Sequence, residues 1–186
     1  MGKTITENLC SDKRMSDVEA AYFAGFTDGE GTITIIRNSR VATRSGVRYR
    51  ALFSLANSHR ETLEGLRISC GNGTIVSNFH KKLKAYHNTV YVLRFNQTQI
   101  RHVLPQLLPF LRCKHRQAEI VLQYLAYSVA GTWHQRSQEE WNELEGLRTD
   151  VSALNRRGDR PKLAFKPLVL RPSLHGNNQF SKPNKP

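Results

Sequence analysis

Between Tyr22 and Ile35 the sequence YFAGFTDGEGTITI passes from a helical to an alternating hydrophobic pattern, with almost no residues left for a loop. That junction limits the fold more than any other feature, because one helix must lead nearly straight into a strand. The helix starts in the SDVE of residues 16–19, where Ser16 and Glu19 have the spacing of a capping box. It is predicted over about Asp17–Thr27, with Val18, Ala21, Tyr22, Gly25 and Phe26 along one face. Beyond Gly31 the period is two. Two carboxylates, Asp28 and Glu30, stand at the C-terminal end of this helix. A helix C-terminus already carries about half a negative charge, so acids there need compensation. A bound divalent cation is the compensation to test.

The rest of the chain alternates between the same two periods. TITIIRNSR (32–40) and RYRALFSLAN (48–57) read as strands, with a turn at Ser45-Gly46. A short helix over about Arg60–Ile68 ends at the GNG of 71–73, and GTIVSNFHKK and NTVYVLRFN read as two further strands. The four strands make one antiparallel sheet in two hairpins. Pro105 and Pro109 predict two short helical pieces in TQIRHVLPQLLPFL. Two amphipathic helices follow. One carries Ala118, Val121, Leu122, Leu125 and Val129, and the other Trp141, Leu144, Leu147, Val151 and Leu154. The fold class is α+β, in the order αββαββα with a four-stranded antiparallel sheet, plus C-terminal helices. Residues 1–15 read as a loose arm, 16–160 as one domain, and 161–186 as a basic, proline-bearing, extended or mobile tail.

Charge narrows the partner. The 186 residues hold 28 Lys plus Arg against 15 Asp plus Glu, a formal charge of +13, which favours polyanions such as nucleic acid. Cys10, Cys70 and Cys113 are far apart and form no CxxC pair, which argues against a disulfide framework or a zinc site. A reducing intracellular setting fits, whether a prokaryotic cytoplasm or nucleoid or an organelle such as a chloroplast. No apolar run reaches membrane-spanning length.

FAGFTDGEG at 23–31 resembles the signature of the LAGLIDADG homing endonucleases, and the order of elements around it fits from about Ser16 to Lys162. It is most similar to the single-motif, homodimeric branch encoded in group I introns of ribosomal RNA genes. The resemblance implies a site-specific double-strand DNA endonuclease that uses Mg²⁺, with Mn²⁺ able to substitute, and no small-molecule cofactor. Its target would be long and pseudo-palindromic, cut across the minor groove to leave short 3′ overhangs. The same resemblance gives the metal to Glu30 with Gly29, and the contact between two copies to Ala24 and Gly25, with Asp28 capping or bracing the helix ends there. Asn57 falls where the family orients solvent near the metal, and Lys114 on its lysine near the scissile phosphate. Glu61 departs from the pattern, since relatives often have a basic residue there, and Arg60 stands beside it.

Strand parity gives the surface that would read double-stranded DNA. It offers Thr32, Thr34, Ile36, Asn38 and Arg40 from the first strand and Arg48, Arg50 and Ser54 from the second. Thr74, Asn78 and His80 come from the third, and Arg94 from the fourth. Arg suits guanine, amides suit adenine, and Thr or Ile can meet thymine methyls. Arg156, Arg157 and Lys162, with Lys81, Lys82, Lys84 and Arg160, are expected on phosphates, where they add affinity without sequence information. Two other readings keep the same scaffold: a maturase that assists intron RNA splicing, and a DNA-binding protein that does not cut.

Overall fold

The computed structural model describes residues 13–39, 47–78, 89–129 and 136–155. The expectations for the arm before Lys13, for Arg40, for His80 and Lys81–Lys84, and for the tail from Arg156 onward lie outside the described residues. The elements run α1 (Asp17–Glu30), β1 (Gly31–Asn38), β2 (Arg48–Asn57), α2 (Arg60–Cys70), β3 (Thr74–Asn78), β4 (Val90–Phe95), α3 (Gln97–Leu107), one 3-10 turn (Leu108–Phe110), α4 (His115–Val129) and α5 (Gln138–Leu154). This is the α+β order expected, with both hairpins in place.

The sheet order is β1-β2-β4-β3, antiparallel throughout. Its inner face is the row that alternation predicts: Ile33, Ile35, Tyr49, Ala51, Phe53, Leu55, Leu93 and Phe95, all buried. The helices cover that face. Phe23 of α1 packs against both Phe53 and Phe95, each at 6.2 Å between ring centroids, while Phe53 and Phe95 stack at 4.8 Å. Truncating such a ring costs about 3–5 kcal/mol, so this trio fixes α1 on the sheet. Three helices begin with reciprocal capping boxes: Ser16 with Glu19, Asn96 with Gln99, and Ser137 with Glu140. The last two were also written in the sequence, as NQTQ and SQEE.

α5 is tied to the sheet by a buried polar cluster. The Tyr49 hydroxyl donates to the Glu145 carboxylate, which also accepts from Arg148 Nε at 2.9 Å and lies 3.7 Å from Arg37 Nε. Burial, reinforced by Glu145, pushes the Tyr49 hydroxyl far above its usual pKa, so it stays a donor. Asn155 closes the same edge by donating to the Ile33 carbonyl at 2.8 Å.

Four expectations need correction. α1 does not stop at Thr27 but continues through Asp28, Gly29 and Glu30, so both acids lie within its last turn. Its buried face is Ala20, Phe23, Ala24 and Thr27, whereas Val18 is 80% and Tyr22 61% exposed. Of the face read from the sequence, this chain leaves Val18, Ala21, Tyr22 and Gly25 bare, and only Phe26 packs against its core. Pro105 does not divide α3, because it sits close to the helix end and removes only one backbone hydrogen bond. The break comes at Leu108, with Pro109 inside the 3-10 turn. Leu154 is 46% exposed and adds little to the α5 stripe, and the Val129 side chain lies outside the described residues.

Gly31 makes the direct helix-to-strand junction possible. A Cβ there would lie 2.5 Å from the Thr27 carbonyl oxygen, a backbone atom that cannot swing away. Gly31→Ala is expected to lower the unfolding free energy by about 1–3 kcal/mol. Urea unfolding should show a lower midpoint at unchanged slope, and an unmoved midpoint would contradict the steric account.

Candidate active site

The C-terminal turn of α1 and the entry to α4 are braced by two reciprocal interactions. The Asp28 carboxylate accepts three successive backbone N–H groups, from Arg112 at 2.7 Å, Cys113 at 3.1 Å and Lys114 at 2.9 Å. Such a run of N–H groups is an anion-binding nest. In return the Lys114 ammonium donates to the Thr27 carbonyl at 3.0 Å and to the Asp28 carbonyl. A cation belongs at those carbonyls, the negative end of the helix dipole. One of the two misplaced acids thus has a compensation inside its own chain. Partial burial, the largest influence, pulls the Asp28 pKa upward, but the three N–H donors and the Lys114 charge outweigh it and hold it below the usual value.

Glu30 has no such anchor. It is exposed at the tip of α1, one residue before β1 begins. Gly29 lies beside it in the same turn. Among the described residues no three His, Cys, Asp or Glu side chains gather into a metal-binding group. One copy of the chain therefore brings a single unbraced carboxylate to this point, with Lys114 reaching the same helix end from the turn entering α4.

Of the other expected residues, Gly25 is exposed, and a Cβ there would meet nothing within 4 Å. Ala24 is fully buried in the core of its own chain, so the expectation that it forms a contact with a second copy is corrected. It lies on the Phe23 side of the helix. Asp28 is likewise engaged within the chain. Asn57 ends β2 and its Oδ1 accepts the His59 N–H at 2.8 Å, which makes it a turn residue as well as a pocket candidate. Arg60 sits 5.9 Å over the Tyr91 ring and 3.4 Å from Glu64, while Glu61 is exposed.

The outer face of the sheet bears the expected side chains. Thr32, Asn38, Arg48, Arg50, Thr74 and Arg94 are exposed, and Thr34, Ile36 and Ser54 are half-buried. The Asn78 side chain lies outside the described residues. Register aligns them in rows: Thr32 with Ser54, Ser54 with Arg94, and Arg94 with Thr74 form one row across all four strands. Ile36 faces Arg50, and Asn38 faces Arg48. The sequence reading missed Leu52, Ala56, Val76 and Val92 on this same face. Counting by twos from Arg48, Thr74 and Arg94 would have found all four.

Residues 23–133 match the family model of the LAGLIDADG endonucleases, more than half of the chain. The chain belongs to the LAGLIDADG endonuclease family, and it carries one copy of the motif, FAGFTDGEG at 23–31. Solved homing endonucleases share the fold. The archaeal intron-encoded I-Vdi141I, complexed with DNA, has a TM-score of 0.64 at 24% identity, covering 77% of this chain and 88% of that one. I-CvuI, in complex with the I-CreI target in the presence of Mg, has 0.61 at 22%, covering 77% and 86%. The group I intron-encoded I-CeuI, also complexed with DNA, has 0.58 at 15%, covering 74% and 68%. No protein of curated function matches the sequence.

The Asp28 brace makes a pH-dependent contribution of definite sign. A depressed carboxylate stabilises fully above its unfolded pKa, about 3.9, and loses that contribution as pH falls through the folded value. Asp28→Asn is expected to cost about 0.5–2 kcal/mol at pH 7. The gap from wild type should shrink below about pH 4, as followed by urea unfolding at several pH values. A gap that widened in acid would contradict the brace.

Proposed function

We propose that this chain is a site-specific endonuclease that cuts both strands of DNA as a homodimer. The observation that carries the reading is the bare stripe of α1. Val18, Ala21, Tyr22 and Gly25 are exposed, largely apolar, and lead along the helix towards Glu30. Packing that stripe against its own copy about a twofold axis buries it and brings two Glu30 side chains together. Two adjacent carboxylates repel, and the two helix dipoles add to the repulsion. A divalent cation relieves both.

The residues fit Mg²⁺, which binds through one or two carboxylates and keeps waters and phosphate oxygens as its other ligands. Glu30, with Gly29 beside it, would hold the ion, and Mn²⁺ is expected to substitute. When bound, the cation supplies Lewis-acid activation of water and of the phosphodiester. Glu30 fixes the place of attack, because α1 is stapled to the sheet and its last turn is braced. Lys114 spends two of its three N–H donors on α1 carbonyls and keeps one for the scissile phosphate. Asn57, its Oδ1 already engaged, orients solvent through its amide donors.

The sheet reads the flanking DNA from its outer face, along a major groove. Arg48, Arg50 and Arg94 there give a polyanion a reason to bind, and DNA is present in the complexes of I-Vdi141I, I-CvuI and I-CeuI. Identical half-sites follow from identical subunits, hence a long pseudo-palindromic target with short 3′ overhangs. Glu30 favours cutting over the maturase and the non-cleaving binder, neither of which needs that carboxylate.

Glu30→Gln is expected to abolish Mg²⁺-dependent cutting of the target while leaving binding within about twofold in a gel-shift titration. Cleavage at the wild-type rate would remove the metal role. Assembly has its own check by light scattering. Tyr22→Lys places like charges opposite one another and should weaken the dimer roughly tenfold or more. If wild-type protein is already a monomer at micromolar concentration, the shared-site reading fails.

A further inference from the structure

The outer face of the sheet is less polar than a generic DNA-binding surface requires. Between its arginines lie Leu52, Ala56 and Val76, half-buried, and Val92, only 7% exposed. Val92 pairs with Ala56 on one side and Val76 on the other, so three apolar side chains form one row. The adjacent row is Thr32, Ser54, Arg94 and Thr74, and the row beyond it pairs Leu52 with Thr34. Arg94 is thus a single cation flanked on both sides by aliphatic groups. Leu52, Ala56 and Val92 share with Arg48, Arg50 and Arg94 one open groove of about 800 Å³, and none of its lining residues is acidic.

An apolar floor beside three arginines suits a ligand that is anionic at its edges and carries methyl groups on its reading face. The major groove of DNA at A·T pairs has that chemistry, since thymine presents its C5-methyl there. An apolar peptide would leave the arginines unpaired. We propose that Leu52, Ala56 and Val76, backed by the buried Val92, form a methyl-reading surface that selects thymine on either side of one guanine bound by Arg94. The inference rests on the endonuclease reading above and adds what the target contains.

Register also orders the target. Gly31 follows Glu30 and pairs with Leu55, so the Ala56–Val92–Val76 row lies at the scissile end of the sheet and the Asn38–Arg48 row at the far end. Outward residues recur about every 6.8 Å along a strand, or about two base pairs. Each half-site therefore runs from a thymine-rich inner part, through one guanine at Arg94, past Leu52 and Ile36, to an outer part read by Arg50, Arg48 and Asn38.

The test uses the full-length protein with Mg²⁺ and a randomised DNA library, followed by replacement of selected thymines with deoxyuridine, which lacks only the methyl. Cleaved sites are expected to carry A·T pairs on both sides of one G·C pair in the inner half-site. Each deoxyuridine there should weaken binding about fourfold. Leu52→Ser should erase the thymine-over-deoxyuridine preference at one position, and the near-isosteric Val76→Thr should do so at another. Equal binding of thymine and deoxyuridine sites, or inner positions that are uniformly G·C, overturns the inference while leaving the endonuclease reading intact. A library from which nothing is bound or cut overturns that reading itself.

Discussion

The candidate site depends on one interaction, the exchange of hydrogen bonds between the last turn of α1 and the turn entering α4. Asp28 gives its carboxylate to three N–H groups, and Lys114 gives its ammonium to two α1 carbonyls. Each charge sits where the backbone of the other segment carries the opposite partial charge. Neither would be stable in that position alone. Together they hold the helix tip that carries Glu30, and they free that residue from any structural duty.

The brace matters because nothing flexible separates the tip from the sheet. α1 ends at Glu30 and β1 starts at Gly31. Phe23 packs against Phe53 and Phe95, so helix, junction and strands share one core. At the opposite end, Glu145 gathers Tyr49, Arg148 and Arg37 beneath the two strands whose outer faces carry Arg48, Arg50 and Asn38. Both ends of the outer face are therefore backed by fixed inner contacts, a supporting shell that recognition surfaces need.

Much of this was legible in the sequence, and the failures have physical causes. β2 was read to the residue because strict alternation over ten positions leaves no freedom of register. The capping box at Ser16 fixed the start of α1, but its end was misread, since two glycines and two acids normally stop a helix. The tertiary brace on Asp28 overrides that propensity, and no local pattern reveals a partner some 85 residues away. The faces of α1 were exchanged because both are apolar. Periodicity finds stripes but does not say which stripe the chain covers itself. Ala24 was assigned to the contact between copies by the family resemblance, whereas the structure buries it in the core. Lys114 stood out in the sequence as an unfavourable cation at a helix start, and the structure instead places its ammonium favourably at the carbonyl end of another helix.

The loopless joint at Gly31 has a geometric corollary. On the proposed reading, the distance from the cutting point to the first base touched is set by covalent geometry alone, and twofold symmetry repeats it on the other side. Such an enzyme is a ruler with two fixed marks. One base pair inserted at the middle of its target would turn the half-sites by about 34° relative to each other, and the α1–β1 joint has no loop that could stretch to follow.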